Sequence, residues 1–142
     1  MELANQPYPL RVYDEDEMYY TYSFQTEKGL TYFITLNLWD ETLDVEFQTE
    51  SGPGQSNQGI LNTGNAFRVF ATVADAIKKY IKTRTVNQIE FMSKKSEPSR
   101  IKLYDAIARV LPKYIPFYLD GKTEDPKMPN YVAYKFVRKG TQ

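Results

Sequence analysis

Apolar and polar residues alternate along the first third of the chain and then switch to a helical period. From Met18 to Thr49 the apolar positions recur at every second residue. In MYYTYSFQT, Tyr20, Tyr22 and Phe24 share one face. In LTYFITLNL, Tyr32, Ile34 and Leu36 do so, with Phe33 opposite, and in LDVEFQT, Leu43, Val45 and Phe47 alternate with Asp44 and Glu46. A period of two with polar residues between predicts strands buried on one side. Turns at Glu27–Gly29 and Trp39–Thr42 would join them into an antiparallel meander.

From Asn65 the period lengthens. In NAFRVFATVADAIKKYIK, residues Phe67, Phe70, Val73, Ile77, Tyr80 and Ile81 fall at three- and four-residue steps, which predicts an amphipathic helix. VNQIEFMS (86–93) returns to alternation and predicts a strand. EPSRIKLYDAIARVL (97–111) predicts a second helix, with Ser96 as N-cap, Glu97 and Pro98 in its first turn and a stop at Pro112. Two more strands follow, IPFYL (115–119) and YVAYKFVR (131–138). The turn signal Asp120-Gly121 and the polar, proline-broken KTEDPKMPN lie between them.

The expected fold class is α+β, a mainly antiparallel sheet carrying two principal helices. One domain would span 18–138. An irregular N-terminal arm (1–17) would precede it, because Pro7 and Pro9 block regular pairing and DEDE at 14–17 is a solvated acidic cluster. Tyr8 and Tyr13 would pin that arm or reach a partner subunit, and the tail 139–142 would fray. ESGPGQSNQG (50–59) reads as a mobile loop, either a long hairpin connection or a binding loop.

Composition narrows the chemistry. The chain has 142 residues, enough for one domain with its own core. Its 18 basic and 18 acidic residues balance, which argues against a nucleic-acid surface. It has no cysteine and no histidine, so disulfides, thiolate metal sites, imidazole bases and Ser/His/Asp triads are excluded. No apolar run reaches the roughly 20 residues of a membrane span, and MELANQPYPLR lacks a signal-peptide core, so the expectation is neither a membrane nor a secreted protein. The 12 tyrosines and 8 phenylalanines suit half-buried sheets and interaction surfaces.

Two stretches suggest anion binding. Thr63, Gly64 and Asn65 precede the first helix, whose free N–H groups would face an anion; equally, Thr63 or Asn65 caps the helix and Gly64 makes the turn. SKKSEPSR brings Lys94, Lys95 and Arg100 to the start of the second helix. There they would hold a phosphate or carboxylate, or Arg100 would pair with Glu97 or Asp105. Tyr104 should be a buried ring with its hydroxyl near a cleft. Nothing in the sequence marks Asp44 and Glu46 as converging on one.

The order strand, loop, helix, strand, helix over Ile60–Leu119, with Leu103-Tyr104 in the second helix, resembles the GNAT (acyl-CoA N-acyltransferase) fold. The resemblance implies a GNAT-like β-β-β-(β)-α-β-α-β-β order, acyl-CoA held at Asn62–Arg68, and Tyr104 as the acid that protonates the leaving thiolate. The family's pyrophosphate loop reads Gln/Arg-x-x-Gly-x-Gly/Ala. Here TGNAFRVFATV has Gly64 and Ala66 but no second glycine, and Phe67 and Arg68 are bulky. GNAFRVFATV and IEFMSKKSEPSRIKLYD also resemble segments of small proteins of tailed bacteriophages, which implies the host cytoplasm or the virion. The leading expectation is therefore a phage-encoded, non-catalytic binding or assembly protein on a GNAT-like scaffold. It would lack a cofactor and act through a protein partner or self-association. The alternatives are an N-acetyltransferase using acetyl-CoA, with Thr63, Gly64, Asn65 and Arg68 in its loop, and a host-defence inhibitor or sponge holding a small anionic ligand on Lys94, Lys95 and Arg100.

Overall fold

The computed structural model describes residues 6–15, 19–27, 29–49, 66–124 and 129–140. The loop at 50–59, with Thr63, Gly64 and Asn65, lies outside the described residues. Within them, seven strands form one sheet: β1 (Arg11–Glu15), β2 (Tyr19–Gln25), β3 (Thr31–Trp39), β4 (Thr42–Thr49), β5 (Gln88–Lys94), β6 (Phe117–Glu124) and β7 (Tyr131–Arg138). Helix α1 (Ala66–Ile81) links β4 to β5, and helix α2 (Pro98–Val110), continued by a 3₁₀ turn at Leu111–Lys113, links β5 to β6. The strand order is β1-β2-β3-β4-β5-β7-β6. β4 and β5 are parallel and every other neighbouring pair is antiparallel.

The alternation read from the sequence determines which side of the sheet is dry. Leu36 lies opposite Val45, Val45 opposite Phe91 and Phe91 opposite Tyr134, so one apolar row crosses four strands. α1 covers this face with Val69, Phe70, Val73, Ala74, Ile77 and Tyr80, and α2 with Leu103, Tyr104 and Ile107, all buried in one core. Each of the larger aliphatic and phenylalanine side chains among them contributes about 1.5–3 kcal/mol on leaving water. Both helices lie on this face because successive right-handed crossovers in one direction must. The other face presents Thr35, Asn37, Asp44, Glu46, Glu90 and Met92, and among the described residues no helix covers it.

Four local expectations are corrected. The N-terminal segment is not wholly irregular: Arg11–Glu15 pairs with β2, with a bulge between Val12 and Asp14. Tyr8 pins the segment before it by stacking on Phe24, and its backbone N–H donates to Thr72 Oγ1 at 2.8 Å. Phe67 is 56% exposed although it shares the helical period, and its ring meets only the edge of Phe70 among the described aromatic contacts. α2 starts with Glu97, not Ser96, at its N-cap and Pro98 next, and no side chain caps it. Asp120-Gly121 makes a bulge inside β6, where the register shifts against β7, and not a turn. The β3–β4 turn is as expected, with Asp40 and Glu41 both at positive φ (49° and 67°), the left-handed pair that a two-residue hairpin requires.

Candidate functional site

The site begins where β4 and β5 part. They pair only from Thr42 opposite Gln88 to Val45 opposite Phe91, then continue to Thr49 and Lys94 without pairing. Two parallel strands that separate leave backbone donors and acceptors facing a gap, and buried groups of that kind require partners. Tyr104 of α2 stands over this opening. Its ring is 1% exposed and packs edge-on against Phe91 (centroids 5.3 Å apart) and Tyr134 (6.0 Å).

The Tyr104 hydroxyl is buried and has no hydrogen-bond partner among the described residues. It faces the Phe47 backbone N–H and the Arg100 guanidinium, short of hydrogen-bond geometry with either. Burial raises its pKa above the ordinary phenol value, against the nearby Arg100 charge and the Phe47 amide, and the Glu46 charge adds to the rise. Arg100 is itself only 6% exposed. Its Nε lies 3.3 Å from Glu97 Oε1, an ion pair without hydrogen-bond alignment, and its Nη2 has no hydrogen-bond partner among the described residues. Among the described residues, two buried polar groups without a hydrogen-bond or ion-pair partner, Arg100 Nη2 and the Tyr104 hydroxyl, thus lie beside the Arg100–Glu97 ion pair. Buried donors left unmet cost about 1–3 kcal/mol each, so a cluster of them marks a place where something else binds.

The open face carries a second feature at the same strands. Tyr19, Thr35, Asn37, Asp44, Glu46, Glu90 and Met92 line a cleft of about 260 Å³. Asp44 and Glu46 therefore do converge, with Glu90 brought alongside because Asp44 pairs with it across β4 and β5. Desolvation raises the Asp44 carboxyl above its usual range, against a hydrogen bond with Glu90. The sequence conceals this cluster because 46 positions separate Asp44 from Glu90 and only sheet register unites them.

Of the predicted anion residues, the four described ones, Arg68, Lys94, Lys95 and Arg100, do not assemble into one cluster. Arg68 donates from Nη1 to Glu27 Oε2 and from Nε to the Gln6 carbonyl, both at 3.0 Å, and lies over the Tyr8 ring. Lys94 and Lys95 are exposed beside Ser96, Asn130 and Tyr131, where the Lys95 N–H donates to the Asn130 carbonyl at 2.7 Å. Arg100 instead turns inward to Glu97 and Tyr104. Asp105, the other partner expected for Arg100, accepts from Tyr134 at 2.7 Å and from Lys122 at 3.0 Å. Among the described residues no group of three or more acidic side chains could hold a metal ion, and no helix is long and apolar enough to cross a membrane.

This sheet order, with its two crossover helices, is a GNAT-like α+β fold. A mutant form of spermidine N-acetyltransferase SpeG from Vibrio cholerae matches it with a TM-score of 0.50 at 9% identity, over 88% of this chain and 68% of that one. A second mutant form of that enzyme gives 0.51 at 10% identity, over 87% and 66%. N-acetyltransferase PseH from Campylobacter jejuni follows at 0.48 and 12%, over 86% and 70%. No family model and no curated protein matches the chain. At such identities the likeness is one of fold. It nevertheless corrects the leading expectation of a non-catalytic assembly protein, since the scaffold is one on which solved N-acetyltransferases are built. None of these neighbours connects the chain with bacteriophage proteins.

Proposed function

We propose that this protein is an acyl-CoA-dependent N-acyltransferase whose reaction takes place in the opening between β4 and β5. The observation that carries this reading is the buried, partnerless Tyr104 hydroxyl beside the Arg100 guanidinium where the two strands part. An acyl thioester fits such a place: its carbonyl and amide oxygens accept hydrogen bonds, and its sulfur becomes an anion as it leaves. The strand edge beyond Val45 supplies backbone groups for an extended arm, and Tyr104 meets the leaving sulfur.

The acceptor would approach from the open face. Asp44, Glu46 and Glu90 favour a cationic amine in the cleft beside them. Glu46 lies near enough to Tyr104 for its charge to act on the hydroxyl, so a base on one face and a leaving-group donor on the other flank the same opening. Glu46 takes the proton from the amine, the free base attacks the acyl carbon, and the thiol end departs toward Tyr104. Tight approach of the reacting groups and exclusion of water by the strand edges supply the rest of the rate.

The test is release of free thiol from acetyl-CoA with a panel of amines, including diamines and polyamines. Turnover that Tyr104→Phe lowers at least tenfold in kcat supports the assignment. No turnover and no thermal stabilisation by acetyl-CoA would reject it, since a ligand at 100 times its Kd should add about 2.7 kcal/mol.

A further inference from the structure

The acid role that the family resemblance gives Tyr104 meets a difficulty in this chain. A thiol titrates near about 8.5, whereas Tyr104 is held above the ordinary phenol value of 10.0 by burial. Burial therefore works against Tyr104 giving up its proton. Arg100 offers another solution. It is a guanidinium more than nine-tenths buried, set beside the same hydroxyl, and it spends only Nε on Glu97 while Nη2 has no hydrogen-bond partner among the described residues. A structural arginine buried this deeply would normally grip its carboxylate with two parallel N–H bonds.

We propose that Arg100 and Tyr104 together form a thiolate pocket, in which the CoA sulfur leaves as an anion, charge-paired with the guanidinium and hydrogen-bonded by a tyrosine that keeps its proton. This rests on the acyltransferase reading above. In the step, the ammonium first gives up one proton through Glu46 to water, the C–N bond forms, the C–S bond breaks with its electron pair moving to sulfur, and the second proton lost by the nitrogen leaves by the same route. The charged and titratable groups facing the pocket are Glu97 on α2, Glu46 on β4 and Tyr134 on β7. Tyr134 keeps its proton, its pKa raised by burial and by the hydrogen bond to Asp105. Glu97 and Glu46 oppose a thiolate, so the pocket depends on the Arg100 charge.

Binding of free CoA to the full chain, compared with desulfo-CoA by calorimetry between pH 6 and 10, tests this without catalysis. The desulfo compound controls for the phosphates. CoA affinity relative to desulfo-CoA should rise from about pH 7, approach roughly tenfold by about pH 9.5 and then level off, as a cation within contact lowers a thiol by about one unit. Arg100→Gln should abolish that rise while desulfo-CoA still binds within about threefold. Arg100→Lys should restore part of it, and Tyr104→Phe should weaken it without removing it. A CoA to desulfo-CoA ratio that stays flat with pH in the unaltered protein overturns the pocket even if Arg100→Gln does not fold. An Arg100→Gln profile identical to the unaltered one overturns it as well. Failure of both compounds to bind the unaltered protein rejects the acyltransferase reading itself.

Discussion

Substituting Tyr104 with phenylalanine should make the unliganded protein more stable while impairing its chemistry. The ring is 1% exposed, and its edge contacts with Phe91 and Tyr134 survive the change because only the hydroxyl oxygen is removed. That oxygen has no hydrogen-bond partner, so folding strips it of water without replacement, at a cost of about 1–3 kcal/mol. The Phe47 amide and Arg100 face it and recover part of that cost, which places the net gain near the lower bound, about 1 kcal/mol. For a chain of this length that corresponds to a rise of roughly 3 °C in Tm. The assay is urea unfolding followed by circular dichroism, in which the midpoint should rise at unchanged slope, with calorimetry for Tm. Saturating acetyl-CoA should then stabilise the unaltered protein more than the variant, narrowing or reversing their order. If the substitution instead costs 1 kcal/mol or more without ligand, the hydroxyl has a good partner in the folded chain, and the inference that it awaits a ligand fails.

Three further outcomes follow from the geometry. Glu46→Gln should lower kcat/KM for a cationic amine by about a hundredfold, because the base is gone; an unchanged kcat/KM would remove Glu46 from the mechanism. Asp40→Gly should raise the urea midpoint by the equivalent of about 0.5–1 kcal/mol, since glycine takes the φ of 49° without a Cβ penalty, and no shift would mean the turn is not left-handed there. Stability should decline at alkaline pH. Burial pushes Tyr22 up to about 12 and raises Tyr32 and Tyr104 above the phenol value. The folded state therefore retains protons that the unfolded chain releases near 10, so stability is complete below about pH 10 and lost as pH climbs toward 12. Tyrosinate absorbance at 295 nm should rise together with loss of helical circular dichroism; ionisation well before unfolding would contradict the burial of these phenols.

The sequence by itself determined the elements. Period two over 18–49, period three to four over 65–82, and the proline that follows Leu111 are local properties, because side-chain alternation and helical pitch are set by the backbone of each segment alone. They were sufficient to give six of the seven strands, both helices and the α+β class. The absence of histidine and cysteine likewise bounded the chemistry without any structure. Local signals misled at the edges of elements. Phe67 matches the period but is left exposed, and Asp120-Gly121 is a turn sequence that pairing with β7 converts into a bulge.

Tertiary structure decided the site. That β4 and β5 separate after Val45 and Phe91 is a matter of register between strands joined through α1, on which no single segment carries information. The same register sets Glu90 beside Asp44 and brings Glu46 within electrostatic reach of Tyr104. A helix surface would let Arg100 pair with Glu97 or Asp105; the fold gives Asp105 to Tyr134 and Lys122 and turns Arg100 into the core. Whether a buried polar atom has a partner depends on every element that surrounds it. Tyr104 could be read from the sequence as buried, but only the assembled sheet left its hydroxyl without a partner.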